Sequence, residues 1–204
     1  MAGVLLILAG VGYSAWLLEF MLPTGLSAWV SDVSDHFVVG QPYRQLFRTT
    51  DMIAGALLML AAAAWWRTDP RRPAARAGLI AVALLGAATV VDALFTPDCV
   101  ATVAAGCRRR ELAVQVSAHH LVHLGSSAVA AVSTLAAAAA LARIAPVGWW
   151  RWWARALLAT VVAGQVLSIA LYPGGGGGGA QRVQLLAAGA GLVAVGVVAS
   201  RGRG

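Results

Sequence analysis

Histidine, aspartate and serine side chains near the middle of the chain are spaced for metal or acid–base chemistry. His119 and His123 are four residues apart, so on a helix they share one face, where two imidazoles can hold one metal ion. Ser126 follows on that face, and Asp92 lies upstream. A zinc ion with an open position lowers the pKa of its bound water to about 7 and so creates a hydrolytic nucleophile. We predict a zinc site with His119, His123 and Asp92 as ligands.

The same side chains also fit a hydrogen-bond network that holds no metal, because the spacing lacks the glutamate of the H-E-x-x-H zinc motif. If the site is catalytic, its candidate residues are Asp92, Asp51 and Ser126. Three further side chains are candidates to join it: His36, His120 and Asp98. Haem is not expected, because the histidines predicted to lie in the membrane all fall on one helix. Both interpretations stay open at this point.

The composition shows what kind of protein must position these side chains. Of the 204 residues, 60% are hydrophobic and 11% are charged, against about 25% charged residues in soluble domains. A helix that crosses a bilayer needs roughly 20 mainly apolar residues. We therefore predict an all-α polytopic membrane protein, with one transmembrane domain over residues 1–204 and a short interfacial helix after the first span. Its six spans are predicted at residues 4–22, 45–66, 77–95, 113–142, 155–172 and 183–200.

Arginines beside the spans explain the net charge of +7 without a nucleic-acid partner. Nine of them lie in the breaks at residues 67–76 and 143–155 and in the tail at 201–203, together with Asp69, and six lie on the opposite side. Because short arginine-rich loops remain in the cytoplasm, we expect both termini there. The chain is thus predicted to be a multi-pass protein of the cell membrane.

Both cysteines, Cys99 and Cys107, fall in the loop between the third and fourth predicted spans. The arginine bias puts that loop outside, where disulfides persist, so we predict a disulfide between them. The alternative is two free thiols. A redox-active pair is less favoured, because seven residues separate the two cysteines and redox pairs use C-x-x-C.

Seven of the eight acids and all four histidines lie on the predicted outer side or in the outer half of a span. Ionisable groups inside a span cost several kcal/mol unless they are paired or solvated, so each is a candidate for function. By helical rise, Asp51 and Asp92 lie within about 10 Å of the outer surface. We therefore predict an outward-facing polar site built from at least three helices.

Two connecting segments allow more than one interpretation. The loop at residues 24–47 fits an amphipathic helix on the membrane surface, or a lid with Asp32, Asp35 and His36 facing the polar site. The segment WWRWWAR at 149–155 fits an interfacial anchor, with recognition of specific lipids as the alternative. The six glycines at 174–179 predict a flexible hairpin between spans five and six. They lack the context of a phosphate-binding loop, so no nucleotide is expected.

Three stretches of the chain resemble a known family. They are LSAWVSDVSDHFVVGQPYRQLFRTTDMIAGALL, DALFTPDC and HHLVH. Together they resemble the six-span bacterial membrane family catalogued as domain of unknown function 998, which is common in actinobacteria. The resemblance covers most of the chain and implies the fold and the membrane location, without an established activity.

A weaker similarity links the chain to alkaline ceramidases and adiponectin-receptor-like hydrolases. That similarity implies a zinc ion held by three histidines near an aspartate and a serine. In this chain His119 and His123 would be two of the histidines, Asp92 the aspartate and Ser126 the serine. The chain departs from this pattern, because it has six predicted spans instead of seven and no third histidine on another span. His36, in the loop after the first span, is the candidate for the third ligand.

Three functions follow from these observations. The first is a metal-dependent hydrolase of a lipid or lipid-linked substrate in the outer leaflet. The second is a protein that binds, transports or senses a lipid or small molecule without chemistry, and the third is a structural subunit of a membrane complex. Membrane lipids are the expected partners, and nothing in the sequence indicates an oligomeric state.

Overall fold

A computed structural model describes residues 1–68 and 70–201. Asp69 and Arg203, which the sequence analysis assigned to the cytoplasmic side, lie outside these ranges. Within them are seven α-helices: α1 Ala2–Tyr13, α2 Arg44–Trp66, α3 Pro73–Leu94, α4 Ala105–Leu112, α5 Ala118–Ile144, α6 Trp149–Leu171 and α7 Gly178–Arg201. Three short 3-10 helices accompany them: Ala15–Phe20, Val33–Phe37 and Tyr172–Gly174.

Six helical segments of the described chain are long and apolar enough to cross a membrane, which confirms the predicted fold class. They are Ala2–Phe20, Arg44–Trp66, Pro73–Leu94, Ala118–Ile144, Trp149–Gly174 and Gly178–Arg201. The fourth span starts later than predicted, at Ala118, because residues 113–117 form a turn that follows the separate helix α4. Ser117 then begins α5 by accepting a hydrogen bond from the backbone of His120. The fifth and sixth spans start earlier than predicted, at Trp149 and Gly178.

The six spanning helices form a closed ring. Along the chain each packs against the next, with α5 following α3, and α7 returns to pack against α1. Because the helices alternate in direction, one end of the ring carries both chain termini and the other carries the disulfide loop. We call these the terminal end and the cysteine end. The short helix α4 lies outside the ring, at the cysteine end.

Small residues allow the ring helices to pack closely, as the alanine- and glycine-rich composition predicts. The closest approach is between α2 and α3, where a Cβ atom added to Gly55 would lie 2.5 Å from the carbonyl oxygen of Gly86. A cluster of buried apolar side chains, which includes Leu58 and Leu85, lies in the terminal half of the ring. The sequence thus encodes a tight seam at α2–α3 and an apolar interior at the terminal end.

A loop after the first span covers the cysteine end of the ring. We call residues 21–43 the cap. Its 3-10 helix turns three side chains inward, since Asp35, His36 and Phe37 are all buried. Of the two interpretations of this loop, the geometry matches the inward-facing lid.

The cysteine end is held together by two further connections. Cys99 and Cys107 form the predicted disulfide, with their Cα atoms 6.2 Å apart. The glycine run at residues 174–179 connects α6 to α7 as predicted. It packs against the cap, however, and does not form the flexible hairpin that was expected. Gly178 and Gly179 already belong to α7, and a Cβ atom on Gly178 would clash with the carbonyl oxygen of Ser31. The absence of side chains therefore permits contact between backbones.

Candidate functional site

The ring encloses a cavity of about 500 Å³ towards the cysteine end, which we call the polar cavity. All six spans and the cap contribute to its wall. The wall includes three carboxyl and three amide side chains: Asp32, Asp51, Asp92, Gln165, Gln181 and Gln184. No arginine is among the described residues that line it. The polar cavity therefore presents hydrogen-bond acceptors and amides, without a positively charged group on its wall.

Asp92, in the last turn of α3, is held by two hydroxyl groups from α5. Ser127 Oγ donates a hydrogen bond to Asp92 Oδ2 at 3.0 Å, and Ser126 Oγ donates one to Oδ1. These contacts arise because α3 and α5 are neighbours in the ring and residues 126 and 127 face Asp92. These two hydrogen bonds satisfy and orient the carboxyl group of Asp92 at the cavity wall.

His123 lies beside Asp92 and is buried. Its Nδ1 atom is 3.0 Å from the carbonyl oxygen of Phe95 and 3.5 Å from Asp92 Oδ1. A carbonyl oxygen only accepts hydrogen bonds, so Nδ1 carries the hydrogen and Nε2 keeps a free lone pair in the neutral ring. The imidazole also packs edge-to-face on Phe37 of the cap, with 6.4 Å between ring centroids. His123 thus links α3, α5 and the cap.

His119 does not join His123 at this wall. It is exposed, and its ring packs on Phe95 with 5.0 Å between centroids. Four residues of α-helix turn through about 400°, so the two side chains differ by about 40° in direction, enough to put one at the surface and the other inside. Within residues 1–68 and 70–201, no three His, Cys, Asp or Glu side chains are grouped to hold a metal ion. The donor set does not fit a three-ligand zinc site, and zinc stays a prediction.

Asp51, on α2, faces the polar cavity beside Asp92, because α2 and α3 are neighbours in the ring. The two carboxyl groups are close enough to interact electrostatically, and Tyr13 lies near both. None of the hydrogen bonds within the described residues involves its carboxyl group. Asp51, Asp92 and Ser126 are therefore brought to one region, as the sequence predicted, and Asp51 keeps acceptor capacity for a ligand.

A buried ion network joins the cap to the first and last spans. Arg182 Nε and Nη2 donate to the two carboxylate oxygens of Glu19 at 2.5 and 2.6 Å. His36 Nε2 lies 3.0 Å from Glu19 Oε2, and the His36 ring stacks on the Phe47 ring with 4.6 Å between their centroids. His36 is thus placed in a structural network with Glu19 and not with His119 or His123. Sequence reasoning missed Glu19 and Arg182, although an acid and an arginine at the ends of apolar spans were the available signal.

His120 and Asp98 belong to a second network, around α4. His120 Nε2 lies 2.8 Å from Glu111 Oε2, while the backbone N–H of Asp98 donates to its Nδ1 at 3.3 Å. Glu111 also accepts a hydrogen bond from the hydroxyl of Tyr172. This network fastens α4 to the start of α5 and the end of α6. Neither His120 nor Asp98 lines the polar cavity.

The Asp98 carboxylate caps the start of α5. It accepts hydrogen bonds from the backbone N–H and the hydroxyl of Ser117, at 2.8 and 2.5 Å. Burial raises the pKa of Asp98, but these two bonds, with the charges of His120 and Arg110, together hold it below its usual value. Asp98 is therefore a charged, structural carboxylate.

Asp32 and Asp35 stand at the boundary between the cap and the polar cavity. Asp35 Oδ2 accepts hydrogen bonds from the hydroxyl of Thr102 and, at 3.0 Å, from the backbone of Asp32. Burial raises the pKa of Asp35. Burial, followed by the negative charge of Asp35, raises the pKa of Asp32 to about 7, although Arg182 opposes the shift. Asp32 thus changes charge near neutral pH.

A second cavity, of about 170 Å³, adjoins the first towards the terminal end. We call it the apolar cavity, since alanine, leucine and valine side chains make up most of its wall. Thr134 lines both cavities. The interior of the ring is therefore divided along its axis into a polar part and an apolar part.

Comparison with known proteins identifies a family and no individual relative. No curated protein and no solved structure matches the chain. One family model matches residues 4–198, which include nearly all of the ring and both cavities. The chain therefore belongs to the family described as protein of unknown function (DUF998).

Proposed function

We propose that this protein binds a membrane amphiphile inside the ring, with the ligand's head in the polar cavity and its hydrocarbon chain towards the apolar cavity. The observation that carries the proposal is the division of one interior into adjoining polar and apolar parts that meet at Thr134. Binding sites for small molecules commonly combine an apolar wall with a few placed polar groups. Here the polar groups are confined to one end, as in an amphiphile.

The wall of the polar cavity favours a head that donates hydrogen bonds and carries no negative charge. A carboxyl group accepts hydrogen bonds in either protonation state, and Asp32, Asp51 and Asp92 supply three such groups. An anionic head would meet acceptor oxygens, and a like charge wherever one of these carboxyl groups is ionised, without an arginine on the described wall to offset it. Sugar hydroxyls and amines both satisfy these conditions.

We expect binding to raise the melting temperature of the protein in phosphatidylcholine vesicles. The probes are a monoglucosyl diacylglycerol, a cationic amine lipid and phosphatidylglycerol. At about 100 times Kd, a ligand stabilises the folded state by about 2.7 kcal/mol, or roughly 5–10 °C for a chain of this size. The glucosyl or the amine lipid should give this shift, and Asp51→Asn should remove most of it.

Asp98→Asn is the matched control, because it removes the same charge outside the polar cavity. It should lower the melting temperature by itself and leave the ligand-induced shift unchanged. Stabilisation by phosphatidylglycerol alone, or by none of the three lipids, would contradict the proposal. A shift that Asp51→Asn and Asp98→Asn reduce equally would locate the ligand elsewhere.

Hydrolysis of the same ligand is the second candidate function. The observation that favours it is the proximity of His123, Asp92 and Asp51 at one wall, since a carboxyl pair beside an imidazole can exchange protons with a bound substrate. The metal-dependent form, which the weaker similarity to alkaline ceramidases implies, stays a prediction that elemental analysis of the untagged protein would test. Release of free fatty acid or sugar from the stabilising lipid would distinguish hydrolysis from binding.

We propose that the cysteine end faces the outside of the cell and that both termini are cytoplasmic. The disulfide between Cys99 and Cys107 supports this orientation, because disulfides persist in oxidising compartments. The excess of arginines at the terminal end agrees with it. A green fluorescent protein fused to the C-terminus should fluoresce, and alkaline phosphatase fused there should be inactive. The opposite pair of results would reverse the orientation.

A further inference from the structure

The wall of the polar cavity has an opening between α5 and α6. Three of the residues that line the cavity are exposed, and all three lie on these two helices: Ala128, Val132 and Ile169. Val132 is 66% exposed and Ile169 is 64% exposed. The other lining residues are buried or half-buried. A side chain that both lines a cavity and is exposed marks the place where the cavity reaches the outside of the ring.

The packing of the ring agrees with this position. Among neighbouring pairs of spanning helices, α5 and α6 are in the least extensive contact. Val132 lies fourteen residues into α5, or about 21 Å at the helical rise, so the opening reaches well into the membrane. Ile169 lies two residues before the end of α6, so the opening extends from the cysteine end at Ile169 to the hydrocarbon level expected at Val132.

The chemistry changes from the rim of the opening to its interior. The rim is apolar, formed by Ala128, Val132 and Ile169. Gln165 lies one helical turn before Ile169 on α6 and lines the polar cavity, as does Ser127 on α5. A polar head that passes the rim would thus meet hydrogen-bonding groups within about one turn of helix.

In contrast to this opening, the path from water into the polar cavity is blocked. The cap closes the cysteine end, and several residues hold the cap in place. Arg182 binds the carbonyl oxygen of Ser31 at 2.6 Å, and the backbone N–H of Val33 donates to Gln181 at 2.8 Å. Thr102, in the disulfide loop, holds Asp35. Opening this end would break charged and hydrogen-bonded contacts that are largely buried, at greater cost than the passage of a ligand between two apolar helices.

We propose that the ligand enters sideways from the bilayer, through the opening between α5 and α6. This inference rests on the amphiphile-binding function proposed above and narrows the ligand class to lipids resident in the membrane. A lipid can move its head into the polar cavity through this opening while one hydrocarbon chain remains in the bilayer. Two-chain lipids are therefore accepted, although the apolar cavity is small.

The test measures how fast a bound lipid exchanges with the bilayer. The protein is loaded with deuterated monoglucosyl diacylglycerol and mixed with vesicles that contain the unlabelled lipid, and native mass spectrometry follows the exchange. Val132→Trp and Ile169→Trp fill the opening and should slow exchange about tenfold, equivalent to a barrier increase of about 1.4 kcal/mol. Val132→Ala and Ile169→Ala widen it and should speed exchange.

The matched controls are Val129→Trp on α5 and Val166→Trp on α6. Both valines are exposed, at 45% and 59%, and neither lines the polar cavity. These variants should exchange at the rate of the wild type. Equal rates in all the variants, with the lipid still bound, would overturn lateral entry and leave the binding function standing. A wild-type protein that retains neither this lipid nor the cationic amine lipid would remove the binding function, and lateral entry with it.

Discussion

Asp32 is a residue of the cap whose charge changes around neutral pH. Its Oδ1 atom is buried, and no described residue hydrogen-bonds to it. Burial, with the neighbouring charge of Asp35, raises the pKa of Asp32 to about 7. An ordinary aspartate has a pKa of about 3.9, so between these values the folded protein holds a proton that the unfolded chain has released. At the edge of the polar cavity, Asp32 can therefore donate a hydrogen bond at pH 5 and only accept one at pH 8.

The raised pKa predicts how stability changes with pH. Because the folded state binds the extra proton, the contribution of Asp32 to the free energy of unfolding falls as pH rises from about 4 to about 7. Above pH 7 both states are deprotonated, and the contribution is constant. The wild type should thus lose stability relative to Asp32→Asn by up to about 4 kcal/mol across this window. Melting temperatures of both proteins, measured from pH 4.5 to 8, test this.

Asp98→Asn is the control for this titration, because the pKa of Asp98 is shifted the other way. A carboxyl group whose pKa is lowered by folding stabilises the protein at pH values above its pKa in the unfolded chain. This stabilisation is lost only as the pH falls through the pKa of the folded state. The cost of Asp98→Asn should therefore stay constant from pH 5 to 8. A parallel pH dependence in the two variants would mean that Asp32 is not the titrating group.

The α2–α3 pair shows how small residues set the distance between two elements. Gly55 and Gly86 face each other, and a Cβ atom added to either would lie 2.5 Å from the carbonyl oxygen of the other. A clash with backbone cannot be relieved by a change of rotamer, so the two helices would have to separate. Asp51 lies one turn before Gly55, and Asp92 lies on α3, so the separation would also move the carboxyl pair.

We expect Gly55→Ala to destabilise the protein by about 1–3 kcal/mol, the usual cost of overpacking. Its melting temperature should fall by roughly 2–12 °C. Gly125→Ala on α5 is the matched control, since nothing lies within 4 Å of a Cβ atom placed there. That change should be neutral or slightly stabilising, because alanine favours helix over glycine. If Gly55→Ala left the melting temperature unchanged, α2 and α3 would be able to separate at little cost, contrary to this prediction.

At the scale of the whole molecule, the fold could be predicted from local properties of the chain. Each span is a continuous apolar segment of sufficient length, and the two cysteines are close in sequence, so both features need little knowledge of distant contacts. The convergence of Asp51 and Asp92 could also be predicted, because both lie near the same ends of consecutive spans. The predicted bounds were less accurate where tryptophan or glycine residues extend a helix beyond its aliphatic segment, as at Trp149 and Gly178.

The features of the site that the sequence did not predict depend on how each helix is rotated about its axis and on pairs of residues that are far apart in the sequence. His119 and His123 share a helical face in principle, but the ring boundary passes between them, and only the packed structure shows on which side each lies. Glu19 and Arg182 are 163 residues apart, and their pairing requires the ring to close between α1 and α7. The fold can therefore be predicted without knowing how each helix is rotated about its axis, whereas the site cannot.

The contact between α1 and α7 also constrains the order in which the protein can be completed during synthesis. α1 packs against α7 as well as α2, so Glu19 has no contact with Arg182 until α7 has been inserted. Until then the acids of the interior have no closed wall around them, and a carboxylate facing hydrocarbon takes up a proton or remains near water. Insertion of α7 is thus the step that closes the ring around the polar cavity, and Arg182 secures the cap in the same step.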